Sequence, residues 1–101
     1  MYTIKTLPEF DRWLHGLKDR DTRLRLARRL DKAARGILGD HKAIAAGVFE
    51  MREHFGAGYR MYYSRRGATL ILMLGGGDKA SQARDIAKAL QLAQQLEKTD
   101  D

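Results

Sequence analysis

The fold is decided by the stretch VFEMREHFGAGYRMYYS, which runs from Val48 to Ser64. Apolar and polar side chains alternate along both halves of this stretch, a pattern typical of strands with one buried face. Gly56 and Gly58 lie between the halves, and glycine adopts the positive φ angles that a tight turn requires. The stretch therefore predicts a β-hairpin whose loop is Gly56-Ala57-Gly58.

The alternation divides this hairpin into two faces. One face is apolar and aromatic and is expected to take the core: Phe49, Met51, Phe55, Tyr59, Met61 and Tyr63. With a three-residue loop, the other face pairs His54 with Arg60, Arg52 with Tyr62, and Glu50 with Ser64. Because the apolar residues take the core, the polar face is predicted to stay open to solvent.

The polar face combines side chains that suit a phosphodiester. The guanidinium groups of Arg52 and Arg60 can bind a phosphate in a bidentate manner and stabilise negative charge in a transition state. His54 or Glu50 can transfer protons, and imidazole is the side chain that changes charge near neutral pH. The alternative, which is more common for surface charges, is a solvent-facing sheet decorated by cross-strand Glu/Arg pairs.

A nearly continuous apolar run, from Ala68 to Leu74, follows a second turn at Arg65-Arg66-Gly67. Such a run is expected of a central strand that is covered on both faces. Gly75-Gly76-Gly77 is predicted to end this strand, and Asp78 or Ser81 is predicted to cap a final helix.

The glycines after this strand resemble a dinucleotide-binding pattern only loosely. Gly75, Gly77 and Ala80 have the required spacing, but no strand follows the helix to complete a βαβ unit. The backbone N–H groups at the start of the helix, beside Lys79, can hold an anion. A plain strand-to-helix turn is the more common alternative.

The N-terminal half predicts one short strand and two helices. Residues 2–6 alternate as a strand does, and Thr6-Leu7-Pro8-Glu9 has the form of a capping box for the first helix. An apolar stripe at helical spacing follows, formed by Phe10, Trp13, Leu14 and Leu17. Asp21 or Thr22 is expected to cap the second helix, and Gly36 is expected to end it.

The second helix is expected to present a basic face to solvent. Its inward residues are predicted to be Leu24, Leu26, Ala27, Leu30 and Ala34. Its outward residues are predicted to be Arg20, Arg23, Arg25, Arg28, Arg29, Lys32 and Arg35. Such a cluster favours a polyanion or an acidic partner, although a solvated helix face is the more common explanation of a charge run.

The order of the elements predicts the fold class. Gly39 to Gly47 is expected to be a connecting loop, which allows a short extended piece around Ala43-Ile44-Ala45. The order is then strand, helix, helix, three antiparallel strands in a meander, and a C-terminal helix. The first two helices are separated by a short break and should form an antiparallel hairpin. We expect a single α+β domain over residues 1–101, with helices packed on one face of the sheet.

Composition narrows the class of protein further. A chain of 101 residues with a formal charge of +6 and a pI of about 9.9 fits one basic globular domain. It has no cysteine, which excludes disulfides and thiolate chemistry. His15, His41 and His54 are widely spaced, so no metal or other cofactor is expected.

The chain also lacks a membrane signal in its sequence. The longest apolar run, Leu70 to Leu74, is far shorter than the roughly 20 residues of a membrane span. The first residues lack the apolar core of a signal peptide. We therefore expect a cytoplasmic protein that does not associate with membranes.

Several blocks in a fixed order carry a resemblance over nearly the whole chain. They are Phe10-Asp11-Arg12-Trp13-Leu14, Gly39-Asp40-His41-Lys42, Gly47-Val48-Phe49-Glu50-Met51-Arg52, Gly58-Tyr59-Arg60-Met61-Tyr62-Tyr63, and Gly76-Gly77-Asp78-Lys79 with Gln82, Asp85 and Ile86. In these blocks the chain resembles the RelE/ParE superfamily of bacterial toxins. Within it, the chain is most similar to the HigB-like addiction-module killer proteins, a branch related to a phage protein.

The resemblance implies a RelE-like fold and the toxin of a type II toxin–antitoxin system. Such a toxin enters the ribosomal A site and cuts mRNA without a metal, because the RNA 2′-hydroxyl attacks its own phosphate. The implied partner is a small helix-turn-helix antitoxin encoded beside the toxin. Through that antitoxin, the complex would bind its own operator DNA.

The resemblance also implies roles for individual residues. Arg52 and Arg60 match the positions of phosphate-binding and catalytic cations, and Lys79 is a candidate third cation. His54 or Tyr62 would assist proton transfer. Three further basic residues are predicted to bind RNA: Lys42, Arg65 and Arg66.

One departure from the family pattern leaves alternatives open. Many RelE-type toxins carry a tyrosine or histidine near the C-terminus as a proton donor, but this chain has no tyrosine after Tyr63 and no histidine after His54. One alternative is a ParE-like protein that inhibits DNA gyrase by binding, through Trp13 and the surface between Arg23 and Arg35. Another alternative, supported by charge alone, is a non-enzymatic module that binds nucleic acid or a protein partner.

Overall fold

The computed structural model describes residues 1–99 and places five strands and three helices within them. In chain order they are β1 (Thr3–Thr6), α1 (Pro8–Gly16), α2 (Arg20–Ala34), β2 (His41–Ala45), β3 (Val48–Arg52), β4 (Arg60–Arg66), β5 (Leu70–Gly77) and α3 (Gln82–Thr99). The strands form one sheet in the order β1-β5-β4-β3-β2. β1 is parallel to β5, and the other neighbours are antiparallel. The predicted α+β class, the meander and the C-terminal helix are confirmed.

The segment predicted as a connecting loop, Gly39 to Gly47, contains a strand instead. His41–Ala45 forms β2 and pairs with β3, with Ala43 opposite Phe49. Most side chains of β2 are exposed, and the strand lies at the edge of the sheet. A short, exposed edge strand has little apolar alternation, so the sequence pattern indicated only its last residues, the extended piece around Ala43-Ile44-Ala45.

α1 and α2 cover one face of the sheet. The core on this side contains Phe10, Leu26, Ala33, Met51, Met61, Tyr63, Ile71 and Met73. The predicted stripe of α1 is confirmed, since Trp13, Leu14 and Leu17 pack against this core. The N–H of Tyr2 donates to the carbonyl of Ala34 (2.8 Å), so α2 returns the chain to the start of β1 as a helical hairpin requires.

α3 covers the opposite face, so the prediction of an open face is wrong. A second core lies here, formed by Val48, Tyr62, Leu74, Ala89 and Ala93. The apolar run of β5 had indicated this arrangement, because Ile71 and Met73 enter the first core while Leu74 enters the second. Within residues 1–99, no helix has both the length and the apolar character needed to cross a membrane.

Two of the predicted helix caps are wrong. Thr6 is the last residue of β1, and Leu7 precedes α1 without a side-chain cap, so the predicted capping box is wrong. α2 is capped by Asp19, whose carboxylate accepts from the Thr22 N–H (3.1 Å), rather than by Asp21 or Thr22. The predicted end at Gly36 is confirmed by the hydrogen bond from its N–H to the Ala33 carbonyl (2.9 Å).

Two residues of α2 face the direction opposite to the one predicted. Leu24 was expected in the core but is 42% exposed. Arg29 was expected in solvent but is only 8% exposed. The reason for the burial of Arg29 is a set of carbonyl acceptors that only the folded chain brings together.

The three glycines of Gly75-Gly76-Gly77 lie inside β5, opposite the first residues of β4, and do not end the strand at Leu74. A Cβ on Gly76 would overlap the indole ring of Trp13 in α1. A Cβ on Gly77 would overlap the carboxylate of Asp85 in α3. These two glycines therefore allow helices to approach the same strand closely on both faces.

Candidate functional site

The register of the β3–β4 hairpin differs by two residues from the predicted one. Arg52 lies opposite Arg60, and Glu50 lies opposite Tyr62. The loop spans residues 53–59 rather than three residues, and the Glu53 N–H donates to the Tyr59 carbonyl (2.9 Å) at its base. Since a shift of two residues preserves side-chain parity, the predicted division into two faces is correct although the predicted pairs are wrong.

Arg52 and Arg60 form a pair of like charges at one end of the sheet. Arg60 is only 8% exposed, its Nη1 donates to the Gly58 carbonyl (2.8 Å), and its Nε has no hydrogen-bond partner among the described residues. Within residues 1–99, Arg60 forms no ion pair with any carboxylate. Like charges at opposing strand positions repel, and Asp40 is paired with Arg52 rather than with Arg60, so the environment of Arg60 favours an anion as ligand.

Asp40 links Arg52 to His54. Its Oδ1 accepts from Arg52 Nη2 (2.9 Å), and its Oδ2 lies 2.6 Å from His54 Nε2. The hydrogen bonds from His54 and then from Arg52 lower the pKa of the Asp40 carboxyl to about 2, so it is ionised at neutral pH. With Nε2 held by Asp40, Nδ1 of the exposed imidazole is available to accept a proton from a ligand.

Asp40 was not predicted as a site residue. It belongs to the block Gly39-Asp40-His41-Lys42 that carried part of the resemblance, but nothing in the sequence pairs it with Arg52 or His54. The pairing arises because Asp40 directly precedes β2, and the Arg52 N–H donates to the Asp40 carbonyl (2.9 Å) next to that strand.

The backbone of Lys79 lies close to the end of β4 at which Arg60 is found. The Lys79 N–H donates to the Ala57 carbonyl (3.3 Å), which docks the segment before α3 onto the β3–β4 loop. A Cβ on Gly58 would lie 3.3 Å from Arg60 Nη1 and 3.4 Å from Lys79 Cβ, so both residues flank this glycine. Lys79 is exposed, and it adds a third cation to this end of the sheet.

Tyr62 and Glu50 are not accessible at this site. Tyr62 is fully buried beneath α3, and burial raises the pKa of its hydroxyl. Glu50 is also buried, and its Oε2 accepts from Gln82 Nε2 of α3 (3.2 Å). The prediction that either residue transfers protons on an open face is wrong, because α3 covers both.

The three residues predicted to bind RNA are not gathered here. Arg65 and Arg66 lie at the opposite end of β4 from Arg60, and the Arg65 guanidinium lies 5.2 Å from the centre of the Tyr2 ring. Lys42 is exposed on β2, opposite Glu50 of β3. Of the three, only Lys42 is close in sequence to the cluster around Asp40.

The basic side of α2 adjoins the site through the β3–β4 loop. The Arg25 guanidinium lies 3.6 Å from the centre of the Phe55 ring, and Phe55 belongs to that loop. Next to it, a shallow cavity of about 290 Å³ is lined by Arg25, Arg28, Arg29, Lys32 and Glu53. Positive charge thus continues from the site onto α2.

Comparison with known proteins identifies a relative of this chain but assigns no activity to it. No protein-family model matches the chain. A Haemophilus influenzae protein described as an "Uncharacterized protein" is 40% identical over 93 residues, which are 92% of this chain and 94% of that protein. The two proteins belong to one family. The match spans nearly the full length of both, so the family shares the fold described above.

In this family member, the site offers cations and an imidazole. Within residues 1–99, no group of three or more histidine or acidic side chains is arranged to hold a metal ion. Arg52, Arg60 and Lys79 can neutralise a phosphate, and His54, oriented by Asp40, can accept a proton. This combination is suited to binding a phosphodiester and to acid–base chemistry on it.

Proposed function

We propose that this protein is the toxin of a toxin–antitoxin pair and cleaves mRNA at the ribosome, in the cytoplasm. The observation that supports it most is the Arg52–Arg60 pair, two arginines at directly opposing positions of β3 and β4, of which Arg60 is buried without an ion-pair partner among residues 1–99. An RNA phosphate bound by both arginines would supply the negative charge that Arg60 lacks and form charge-assisted hydrogen bonds. The resemblance to HigB-like toxins supports the same activity.

In the proposed reaction, the 2′-oxygen of a ribose attacks the adjacent phosphorus. His54 Nδ1 accepts the proton of that hydroxyl, while Asp40 holds Nε2 and stabilises the imidazolium that forms. Arg52 and Arg60 stabilise the negative charge that develops on the phosphoryl oxygens. The bond from phosphorus to the 5′-oxygen breaks, that oxygen takes a proton from solvent, and a 2′,3′-cyclic phosphate remains.

The decisive experiment compares Arg60→Gln with Arg12→Gln during induced expression in bacteria. Gln retains much of the side-chain volume at the buried position, and Arg12 is an exposed arginine of α1 far from the site in sequence. We expect Arg60→Gln to abolish growth arrest and transcript cleavage, measured by primer extension, while Arg12→Gln retains both. If a folded Arg60→Gln protein arrests growth and cuts transcripts as the wild type does, the proposed site is wrong.

The proposed partner is a small helix-turn-helix antitoxin that also carries the complex to its operator DNA. The open reading frame next to this gene supplies the candidate. We expect its co-expression to restore growth and the two proteins to copurify. If no neighbouring protein restores growth, the toxin–antitoxin part of the proposal is wrong even when RNA cleavage is observed.

A gyrase-binding toxin is the second candidate, and the exposure of Leu24 favours it. This leucine is 42% exposed beside arginines of α2 that line a cavity, so an acidic partner surface would find positive charge and an apolar contact together there. In this case, Arg60→Gln would stay toxic and expression would induce the SOS response without loss of mRNA. Leu24→Glu would then remove toxicity, whereas the nuclease would tolerate it.

A further inference from the structure

Arg29 is a buried arginine in the middle of the otherwise solvated basic side of α2. All three nitrogens of its guanidinium donate hydrogen bonds within the chain. The acceptors are the carbonyls of Leu38 (2.8 Å), Asp40 (2.7 Å) and Arg52 (3.0 Å) and Oε1 of Glu53 (2.9 Å). With its charge paired to Glu53 and all three guanidinium nitrogens bonded within the chain, Arg29 is not placed to bind RNA itself.

The acceptors of Arg29 belong to two segments that are distant in sequence. Leu38 and Asp40 lie between α2 and β2, whereas Arg52 and Glu53 lie at the end of β3. The first segment supplies the Asp40 carboxylate, and the second supplies the Arg52 guanidinium and leads to His54. Through these hydrogen bonds, Arg29 connects the two segments that supply the residues of the candidate site.

The loop packs directly against the guanidinium. Gly39 has a φ of +65°, and a Cβ at this position would lie 2.9 Å from Arg29 Nη2. The close approach lets Nη2 reach the carbonyls on both sides of this glycine, those of Leu38 and Asp40. A lysine cannot replace this contact, because its ammonium lacks the planar fork that reaches several acceptors at once.

We propose that Arg29 is a positioning residue, which fixes the backbone at Asp40 so that one carboxylate holds both Arg52 and His54. The catalytic consequence rests on the function proposed above, whereas the structural consequence does not. Without Arg29, the carbonyls of Leu38 and Arg52 lose its guanidinium as donor, and the Asp40 carbonyl keeps the Arg52 N–H. The segment before β2 is then held to β3 by fewer hydrogen bonds and can shift relative to it. A displacement of about 1 Å at the Asp40 carboxylate is enough to misplace the imidazole and slow a reaction about 100-fold.

The test compares Arg29→Lys with Arg12→Lys, the same change at an exposed helical arginine. Asp40→Asn serves as reference for a His54 ring that has lost its carboxylate. We expect the NMR signal of the His54 Hε1 proton in Arg29→Lys to move toward its position in Asp40→Asn, and in Arg12→Lys to stay at the wild-type position. In cleavage assays, we expect kcat to fall about 100-fold in Arg29→Lys, with KM changed much less.

The outcomes separate the two proposals. A folded Arg29→Lys protein with the wild-type His54 signal would overturn the positioning role. A wild-type protein that cuts no RNA, combined with a moved His54 signal in Arg29→Lys, would reject the nuclease but keep the positioning of this cluster. If Arg29→Lys does not fold, Gly39→Ala decides the question, because its Cβ would lie 2.9 Å from Arg29 Nη2 and its φ of +65° is strained for alanine, so both effects push the backbone before Asp40 away from the guanidinium. The same movement of the His54 signal is expected there, and its absence would overturn the inference.

Discussion

His54 Nε2 and Asp40 Oδ2 lie 2.6 Å apart, and this contact ties the chain after β3 to the segment before β2. Together with Arg52, His54 holds the pKa of the Asp40 carboxyl at about 2, below the value of about 3.9 expected in the unfolded chain. The stability that this carboxylate contributes is therefore complete above about pH 4 and is lost as the pH falls through about 2. We expect urea denaturation to show a steeper loss of unfolding free energy over this range in the wild type than in Asp40→Asn. Identical pH dependence in the two proteins would contradict the contact.

Gly76 and Gly75 form a matched pair for a packing test. A Cβ at Gly76 would overlap the ring of Trp13, whereas a Cβ at Gly75 has nothing within 4 Å. We expect Gly76→Ala to lower the free energy of unfolding by about 1–3 kcal/mol, and Gly75→Ala to leave it unchanged or raise it slightly. Equal denaturation midpoints for the two variants would show that α1 does not approach β5 as closely as described.

The faces of the hairpin were predictable, whereas its register was not. Alternation from Phe49 to Tyr63 fixes which side chains share a face, because the period of a strand is two. The length of the loop depends on the backbone hydrogen bond between Glu53 and Tyr59, which has no sequence signature. The two glycines, Gly56 and Gly58, do have the predicted positive φ angles, but inside a longer loop.

The burial of the polar face by α3 was indicated by the sequence, although less clearly than the division into two faces. Leu74 of β5 and Val48 of β3 lie on the same side as Glu50 and Tyr62 and are buried against α3. Apolar residues on that side of the sheet indicate a buried face. They are better evidence on this point than the arginines of the hairpin, which suggested a face open to solvent. The part of this side that α3 leaves accessible begins at Arg52, at the end of β3, and continues to His54.

Arg29 and Asp40 could not be found from local sequence. Arg28 and Arg29 are neighbours in the same basic helix, and only tertiary contacts make one exposed and the other buried. The carbonyls that bind Arg29 come from the segment before β2 and from the last residue of β3. Every residue type has a backbone carbonyl, so a side chain that binds carbonyls has partners that cannot be recognised from sequence spacing.

Tyr62→Phe is expected to leave both folding and activity intact. The Tyr62 hydroxyl is buried and has no hydrogen-bond partner in the part of the chain that the structure describes, so replacing it with hydrogen removes the cost of burying an unpaired polar group. We expect the free energy of unfolding to stay constant or rise by up to about 1 kcal/mol, and growth arrest to persist. The matched Tyr62→Ala should lose about 3–5 kcal/mol, because it opens a cavity beneath α3. Loss of toxicity in a stable Tyr62→Phe protein would show that the Tyr62 hydroxyl takes part in the activity.

Inorganic phosphate should stabilise the folded protein through the Arg52–Arg60 pair. An anion bound to the native state alone raises the free energy of unfolding by RT ln(1 + [L]/Kd), which is about 1.4 kcal/mol at ten times Kd. In a domain of this size, that corresponds to a rise in Tm of roughly 6–11 °C. Since Arg60 has no ion-pair partner within residues 1–99, we expect Arg60→Gln to lose most of this shift, whereas Arg12→Gln keeps it. Chloride at equal ionic strength controls for general screening, since screening acts on all exposed charges alike. If phosphate raises Tm equally in the wild type and in Arg60→Gln, the anion binds elsewhere on the basic surface and the two arginines are not a phosphate site.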